Sequence, residues 1–342
     1  MKGKRPKARA LVLLSGGLDS RLVCRMMQEQ LGKENVEAVF FMLPFGGGCC
    51  SDESCVFKFA QSEGIRLHII DCTKGSLFRK YMNMIKKPEF SRGAGMNPCI
   101  DCHLFMLKEA KRLAKGTGAE IIATGEVLGE RPLSQNRRAL AIIEKEAGLG
   151  GRLLRPLSAK LLPETEAEKR GWIDRSKLLD MQGRRRARQI ALAKKYGITF
   201  PAPAGGCLLT DREFSRRLRK LLGLKSKINM EEIGLLKLGR HFARGKSLIV
   251  VGRNEKENKQ LLSLAKTIRP APAVMEVTGQ MGPATLVINP AQKSVKTAAR
   301  LTVRYSDAPK NRPASVQAMK GREQRIMKAK ALSEAQIAKL RA

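Results

Sequence analysis

The sequence predicts an α/β fold, a doubly wound parallel sheet followed by a small C-terminal α+β domain. Short apolar runs of strand length alternate with helical patterns, the order of parallel strands joined by crossover helices. A glycine-rich turn follows the first run directly and opens a helix, as at the ligand edge of such a sheet. From about Ile228 the pattern changes to short strands grouped around turns, which predicts a separate module.

The first strand lies in Ala8–Ser20, where the run Leu11 to Leu14 precedes Ser15-Gly16-Gly17-Leu18-Asp19-Ser20 and a helical pattern through Leu31. Val36–Leu43 reads as the second strand. Ile65–Asp71 reads as the third, after a helix around Ser54–Glu63. Glu120–Gly125 is the fourth, after a helical pattern from about Cys102 to Lys115. SGGLDS and the turn Thr124-Gly125-Glu126 therefore emerge at one edge, where two glycine turns predict a nucleotide site. A helix start behind such a turn aims free N–H groups and a positive dipole end at an anion. Gly16 and Gly17 allow close backbone approach to phosphate, and Ser15 and Ser20 offer hydroxyls. Asp19 is an unexpected charge there unless it holds Mg²⁺ or another compensating partner. The lysine of the GxxxxGK type of phosphate loop is missing.

At 342 residues the chain is about two domains long. Lys and Arg number 66 against 31 Asp and Glu, a formal charge of +35. That excess argues against an enzyme of small neutral metabolites and favours a polyanion partner, nucleic acid first. No apolar run reaches the ~18 residues of a membrane span. The basic N-terminal residues lead into a core strand rather than a signal peptide, so a cytoplasmic location is expected. In that reducing compartment the 8 cysteines are not expected to form a disulfide framework.

Cys24 and Cys72 sit in apolar patterns and read as small core residues. Cys49, Cys50 and Cys55 share the glycine-rich stretch Pro44–Cys55, which reads as a flexible lid or substrate loop ahead of a metal site. In Asn97-Pro98-Cys99-Ile100-Asp101-Cys102-His103 a C-x-x-C opens a helix, a position that depresses thiol pKa values. Cys207 follows in the Pro/Gly loop Pro203–Cys207, between a helix ending near Tyr196 and another starting near Asp211. The pair alone fits a redox site or half a zinc site. With Cys207, three thiolates fit an iron–sulfur cluster with one iron left open, or a nucleophile with a resolving pair. His103 would complete a Cys₃His zinc site, which ranks lower.

SGGLDS resembles the pyrophosphate-binding loop of PP-loop ATP pyrophosphatases. With NPCIDCH, ATGEVLGERPLSQ, LRPLSAK and AGGC following in order, the stretch from about Ala8 to Leu222 resembles the tRNA thiouridylases of that superfamily. The resemblance implies an ATP-dependent tRNA sulfurtransferase in which a uracil carbonyl oxygen attacks the α-phosphate and sulfur then displaces AMP. The GEVLG and SQ segment favours 4-thiouridine at position 8 of tRNA, with 2-thiouridine second. Ser15, Gly16, Gly17, Asp19, Ser20, Thr124, Gly125 and Lys160 are implied for ATP, with Asp19 positioning Mg²⁺. Cys99, Cys207 and Asp19 are implied as catalytic, and Cys99, Cys102 and Cys207 as ligands of a 4Fe-4S cluster. The implied partners are tRNA and a sulfur donor, either a cysteine desulfurase persulfide or sulfide, with no membrane.

The 4-thiouridine synthases carry an N-terminal THUMP region, for which the residues ahead of Ser15 leave no room. RNA contacts are expected instead from GRRRAR, Gly183–Arg188, within a helical segment Ser176–Tyr196, and from the basic stretch Asp211–Lys227. Arg21 reads as significant for charge alone. Downstream, Lys246–Arg253, Ala273–Val277 and Ala284–Ile288 read as strands and Glu255–Lys266 as a helix. This region resembles, more weakly, the RNA-binding region of NFACT proteins. The expected organisation is an ATP-binding and thiolation domain over 1–225, an RNA-binding module over 228–308 and a basic, partly disordered tail over 309–342. The rival functions are a PP-loop adenylating ligase or amidase acting on a non-RNA substrate, and a non-catalytic RNA-binding protein.

Overall fold

Strands β1 (Ala10–Leu13) and β2 (Val36–Met42) carry apolar side chains on both faces and so need cover on both. Ala10, Val12, Ala38 and Phe40 enter one core, together with Leu18 and Leu22 of helix α1 (Leu18–Leu31). Leu11, Val39 and Phe41 enter the other. The computed structural model describes residues 8–46, 53–202, 206–225 and 227–341, and the chain divides into two units, Met1–Asp211 and Arg212–Ala342.

In the first unit the chain continues through α2 (Glu53–Glu63), β3 (Arg66–Asp71), α3 (Gly75–Lys86), α4 (Cys99–Thr117), β4 (Ile121–Thr124) and α5 (Arg137–Glu146). β5 (Leu153–Leu154), α6 (Glu166–Lys169) and α7 (Ala187–Tyr196) complete it. The five strands are parallel in the order β3-β2-β1-β4-β5. Val56 and Phe59 of α2 and Ala193 of α7 cover one face, and Leu104, Leu107 and Ile143 of α4 and α5 cover the other. The sheet is thus doubly wound, as expected. Strand order runs outward from β1 in both directions, which puts the topological switch point between β1 and β4. The segment expected to be helical over Ser176–Tyr196 is α-helical only as α7, after a 3₁₀ turn at Arg175–Lys177, because Gly183 at φ 83° takes a conformation that a helix does not contain.

The second unit comprises α8 (Arg212–Leu224), α9 (Met230–Leu235), β6 (Arg240–Arg244), β7 (Ser247–Val251), α10 (Glu255–Thr267), β8 (Ala273–Val277) and β9 (Thr285–Ile288). α11 (Gln292–Arg304), β10 (Ala314–Lys320), β11 (Glu323–Ala329) and α12 (Glu334–Ala338) follow. Its six strands form an antiparallel sheet in the order β11-β10-β8-β9-β7-β6, with Val295, Ala298 and Leu301 of α11 packed on one face. The boundary falls ahead of α8 rather than near residue 225, because α8 buries Leu218 and Leu221 and packs against β7. The tail expected to be partly disordered is also folded. β10 pairs with both β8 and β11, and Val316, Ala318, Ala329, Leu332, Ile337 and Leu340 are buried. The strand period of two conceals this in the composition, since the edge strand β11 turns its charged residues to solvent. Among the described residues no helix is long and apolar enough to cross a membrane.

His241 of β6 is buried, and that burial, aided by Arg217, depresses its pKa from the ordinary 6.5 to about 3. The folded unit therefore favours the neutral imidazole. Unfolding takes up a proton wherever pH lies below about 6.5, so this contribution to stability is complete above that pH and declines toward pH 3. Native-state hydrogen exchange of β6 and β7, corrected for intrinsic rates, should give an opening free energy about 2 kcal/mol lower at pH 5 than at pH 7. The difference should vanish in His241→Gln.

Candidate functional site

The SGGLDS turn leaves the carboxyl end of β1 and is shaped by two glycines. Gly16 has φ 84°, a conformation that strains any residue with a Cβ. Gly17 is the extended N-cap of α1 and provides no side-chain cap, so the amides of the first helical turn keep their donor capacity for a ligand. The Ser20 hydroxyl donates to the Gly17 carbonyl at 2.9 Å and lies 3.3 Å from the Ser15 hydroxyl. Arg21 is buried beneath the turn rather than acting as a general charge. Its Nε donates to the Gly16 carbonyl at 2.8 Å, Nη1 to the Thr199 carbonyl at 2.8 Å and Nη2 to the Cys55 sulfur at 2.9 Å.

The turn after β4 meets this loop directly. A Cβ on Gly125 would stand 2.7 Å from the Ser20 nitrogen and 2.8 Å from the Asp19 carbonyl carbon, so only glycine fits. Thr124 turns its hydroxyl onto Glu126 at 3.0 Å. The buried Glu126 also contacts Arg155 Nε at 2.9 Å and His103 Nδ1 at 2.7 Å, and Arg155 reaches on to Glu144 at 2.8 Å. Burial opposes ionisation of Glu126, but Arg155 and His103 outweigh it and hold its pKa at about 2. Lys160 is not gathered here: its Nζ donates to the Ser176 carbonyl at 2.9 Å.

Asp19 follows the two glycines on α1. Its Oδ1 is buried without a hydrogen-bond partner, and its Oδ2 lies 3.7 Å from Arg186 Nη2. Burial raises its pKa against the pull of Arg186 and Arg131. An orphaned carboxylate oxygen beside a phosphate-type loop is a fitting donor for Mg²⁺.

The cysteine set stands at the start of α4. Asn97 Nδ2 donates to the Cys99 sulfur at 3.3 Å, and Asp101 accepts from the Glu89 amide at 2.7 Å, fixing the chain that enters the helix. Cys102 lies 3.3 Å from the Tyr81 hydroxyl. The loop of Cys207 is tied in by Leu208 N–H to the Phe45 carbonyl at 3.0 Å and Met96 N–H to the Leu209 carbonyl at 2.9 Å. The depressed pKa expected at this helix start is not found for Cys102. Burial pushes its thiol up to about 12, and the nearby Cys207 and Cys99 raise it further against the Tyr81 hydrogen bond. The three predicted sulfurs thus share one neighbourhood, and a set of soft donors suits iron. Among the described residues, however, no group of three or more His, Cys, Asp or Glu could hold a metal ion as it stands.

Cys24 and Cys72 are fully buried, as expected. Cys49 and Cys50, with half of the stretch read as a lid, lie outside the described residues, as do Ala204 and Gly205 of AGGC. Glu126, Arg155 and Tyr81 were not predicted as site residues, and Arg186 was expected only as part of the RNA-contacting run GRRRAR. Glu126 and Arg155 do stand inside the quoted motifs, TGE and LRPLSAK.

Residues 8–144 match the family profile described as tRNA methyl transferase HUP domain, and residues 239–341 match that described as NFACT protein RNA binding domain. Among curated proteins, the tRNA-specific 2-thiouridylase MnmA of Acetivibrio thermocellus is 30% identical over 130 residues, 35% of this chain and 35% of its own. That of Deinococcus radiodurans is 26% identical over 126 residues, 34% of this chain and 32% of its own. The chain spans about a third of the length of the curated relatives it matches. A solved structure described as U34-tRNA thiolase NcsA from Methanococcus maripaludis with its 4Fe-4S cluster aligns over 58% of this chain and 61% of that one, at 18% identity. Its TM-score is 0.33. The motif resemblance to PP-loop tRNA thiouridylases is borne out by the first profile and the curated 2-thiouridylases, and the weaker resemblance downstream by the second profile.

A thiol with a pKa of about 12 is almost wholly protonated at pH 8. Cys102 should therefore react with iodoacetamide more than about 100-fold more slowly than a small-molecule thiol at that pH, read by mass spectrometry of its peptide. Labelling at the free-thiol rate would contradict the buried, neutral placement.

Proposed function

We propose that the chain is an ATP-dependent tRNA thiouridine synthase, with the first unit carrying the chemistry and the second contributing RNA binding. The observation that carries this reading is the meeting of SGGLDS and Thr124-Gly125-Glu126 at the switch point of a parallel sheet, linked through Glu126 and His103 to the helix of Cys99 and Cys102. The curated relatives are named 2-thiouridylases, so the 2-carbonyl of a tRNA uridine is favoured over the 4-carbonyl expected from the motifs.

In this reading the first-turn amides of α1 and the backbone of Gly16 and Gly17 bind the ATP phosphates, with Ser15 and Ser20 as hydroxyl donors. Asp19 would hold Mg²⁺, which when bound screens the charge gathering on the departing pyrophosphate. The uracil carbonyl oxygen attacks the α-phosphorus, the bond to the β-phosphate oxygen breaks, and pyrophosphate leaves. The amides aimed at that charge stabilise the transition state. A poor oxygen leaving group has then become AMP, which a sulfur nucleophile displaces from the ring carbon. Cys99, Cys102 and Cys207 would hold a 4Fe-4S cluster, which when bound offers an iron free for sulfide. Without a cluster, Cys99 would take the outer sulfur of a desulfurase persulfide; that sulfur displaces AMP from the ring carbon, and Cys207 then attacks the Cys99 sulfur, breaking the S–S bond and leaving a Cys99–Cys207 disulfide for a thiol reductant to reopen. Glu126, ionised and buried, fixes the His103 ring and the turn that carries Gly125. The sulfur donor is free sulfide on the cluster route, and a desulfurase persulfide, already at the oxidation level of a persulfide, on the route through Cys99.

The charge of +35 supports a polyanionic substrate, and the match of residues 239–341 supports RNA contact by the second unit. An adenylating ligase of a non-RNA substrate would need neither feature. Incubating the anaerobically purified chain with ATP, Mg²⁺, sulfide and unmodified tRNA, then digesting the tRNA to nucleosides, should yield 2-thiouridine with one AMP and one pyrophosphate per sulfur inserted. Cys99→Ala and Cys207→Ala should each abolish it. Sulfur at the 4-position would reassign the carbonyl, and AMP formation with no thionucleoside and no need for tRNA would favour the ligase.

A further inference from the structure

The run GRRRAR carries four arginines, and they are not equivalent. Arg184, Arg185 and Arg188 are exposed, and Arg188 pairs at the surface with Asp180 at 2.6 Å. Arg186 alone is turned inward, where its Nη2 stands 3.7 Å from Asp19 Oδ2 and its Nε is buried without a hydrogen-bond partner. Asp19 Oδ1 is buried and unpartnered in the same way. Two opposite charges thus meet in a loose contact, beyond hydrogen-bond length, while each retains a buried polar atom unused. A direct ion pair would have consumed both atoms, and leaving them unsatisfied costs folding free energy.

The surrounding chain fixes this arrangement. Residues 182 and 183 run beside residues 128 and 129: Leu128 and Gln182 form a parallel bridge, and Gly183 N–H donates to the Leu128 carbonyl at 2.8 Å. The fully buried Ser158 locks the two segments, accepting from Leu128 N–H at 3.0 Å and donating to the Met181 carbonyl at 2.7 Å. Arg131 and Arg186 are thereby brought from separate segments to Asp19, as both act on its charge. Glu130 stands in the same group, its pKa raised by burial and by Asp19. Two cations and two carboxylates face one another at the mouth of SGGLDS. Such a group is matched by a ligand that is itself divided into anion and cation, a polyphosphate with its divalent metal. A tRNA backbone lying on the surface would instead be met by Arg184, Arg185 and Arg188.

We infer that Arg186 contacts the polyphosphate of the nucleotide, its unused Nε taking a phosphate oxygen while Asp19 turns Oδ1 to the metal, and that it is not part of the RNA-binding surface. Arg131 flanks the same phosphates. The inference rests on the reading that Mg·ATP occupies SGGLDS.

The test uses the full chain and three probes: Mg·ATP and adenosine by calorimetry, and unmodified tRNA by filter binding over a salt series. Arg186→Ala should weaken Mg·ATP between about 10- and 100-fold, the loss of one charge-assisted contact. It should leave adenosine affinity and the tRNA salt slope unchanged. Arg186→Lys, which keeps the charge but not the Nε donor, should recover only part of the loss. Arg185→Ala should do the reverse, lowering the tRNA salt slope by about one unit with Mg·ATP affinity intact. Equal Mg·ATP affinity in wild type and Arg186→Ala overturns the inference. So does a parallel loss of adenosine, which would mean that Arg186 only supports the fold of the loop. A wild-type chain that binds no Mg·ATP would instead overturn the nucleotide reading beneath it.

Discussion

Everything at the candidate site depends on how closely the end of β4 approaches the first turn of α1. With the Ser20 nitrogen 2.7 Å from where a Cβ would be, residue 125 has no room for a side chain. That contact locks the two turns of the switch point into one surface. Glu126, the next residue, extends the lock inward by binding Thr124, His103 and Arg155 at once. His103 belongs to the helix that begins with Cys99, so the phosphate loop and the cysteine helix are tied through a single buried carboxylate. An isolated buried charge would be costly, and here it is stabilised by two partners and a hydroxyl. The same network that rigidifies the site thus sets the register between the SGGLDS turn and the helix of Cys99 and Cys102.

The parts of the site legible in the sequence are those written as contiguous strings. SGGLDS announces itself because a strand, a glycine turn and a helix start must follow one another to cradle an anion, and NPCIDC because two thiols one helical turn apart share a face. The parallel sheet was legible for a similar reason, since its strands are buried on both faces and read as unbroken apolar runs. What escaped was whatever the fold assembles from distant positions. Glu126, His103 and Arg155 each stand in a legible motif, but the motifs are far apart in the chain and nothing local says that the three side chains meet. Arg186 was concealed among arginines whose common composition suggests a common role, and only burial separates it from its neighbours. Lys160 was misplaced for the opposite reason, carried by a motif whose backbone turns its amine toward Ser176.

The second unit makes the same point about composition. A C-terminal stretch rich in Lys and Arg looks unable to bury a core, yet Ala314, Val316 and Ala318 fall on alternate positions of β10, which with β11 completes a six-stranded sheet. Basic residues on an exposed edge strand guard it against pairing with other chains while leaving charge free for a polyanion. Charge therefore says little about order here.

The central claim is that a uridine carbonyl oxygen is transferred to the α-phosphate at SGGLDS before sulfur enters. It is tested most directly by a tRNA whose target uridine carries a heavy oxygen isotope at the carbonyl, followed through a single turnover with ATP and sulfide. The account predicts that the heavy oxygen appears in AMP, with sulfur at the vacated carbon. Unlabelled AMP, with the heavy isotope retained in the tRNA or released to water, would contradict it.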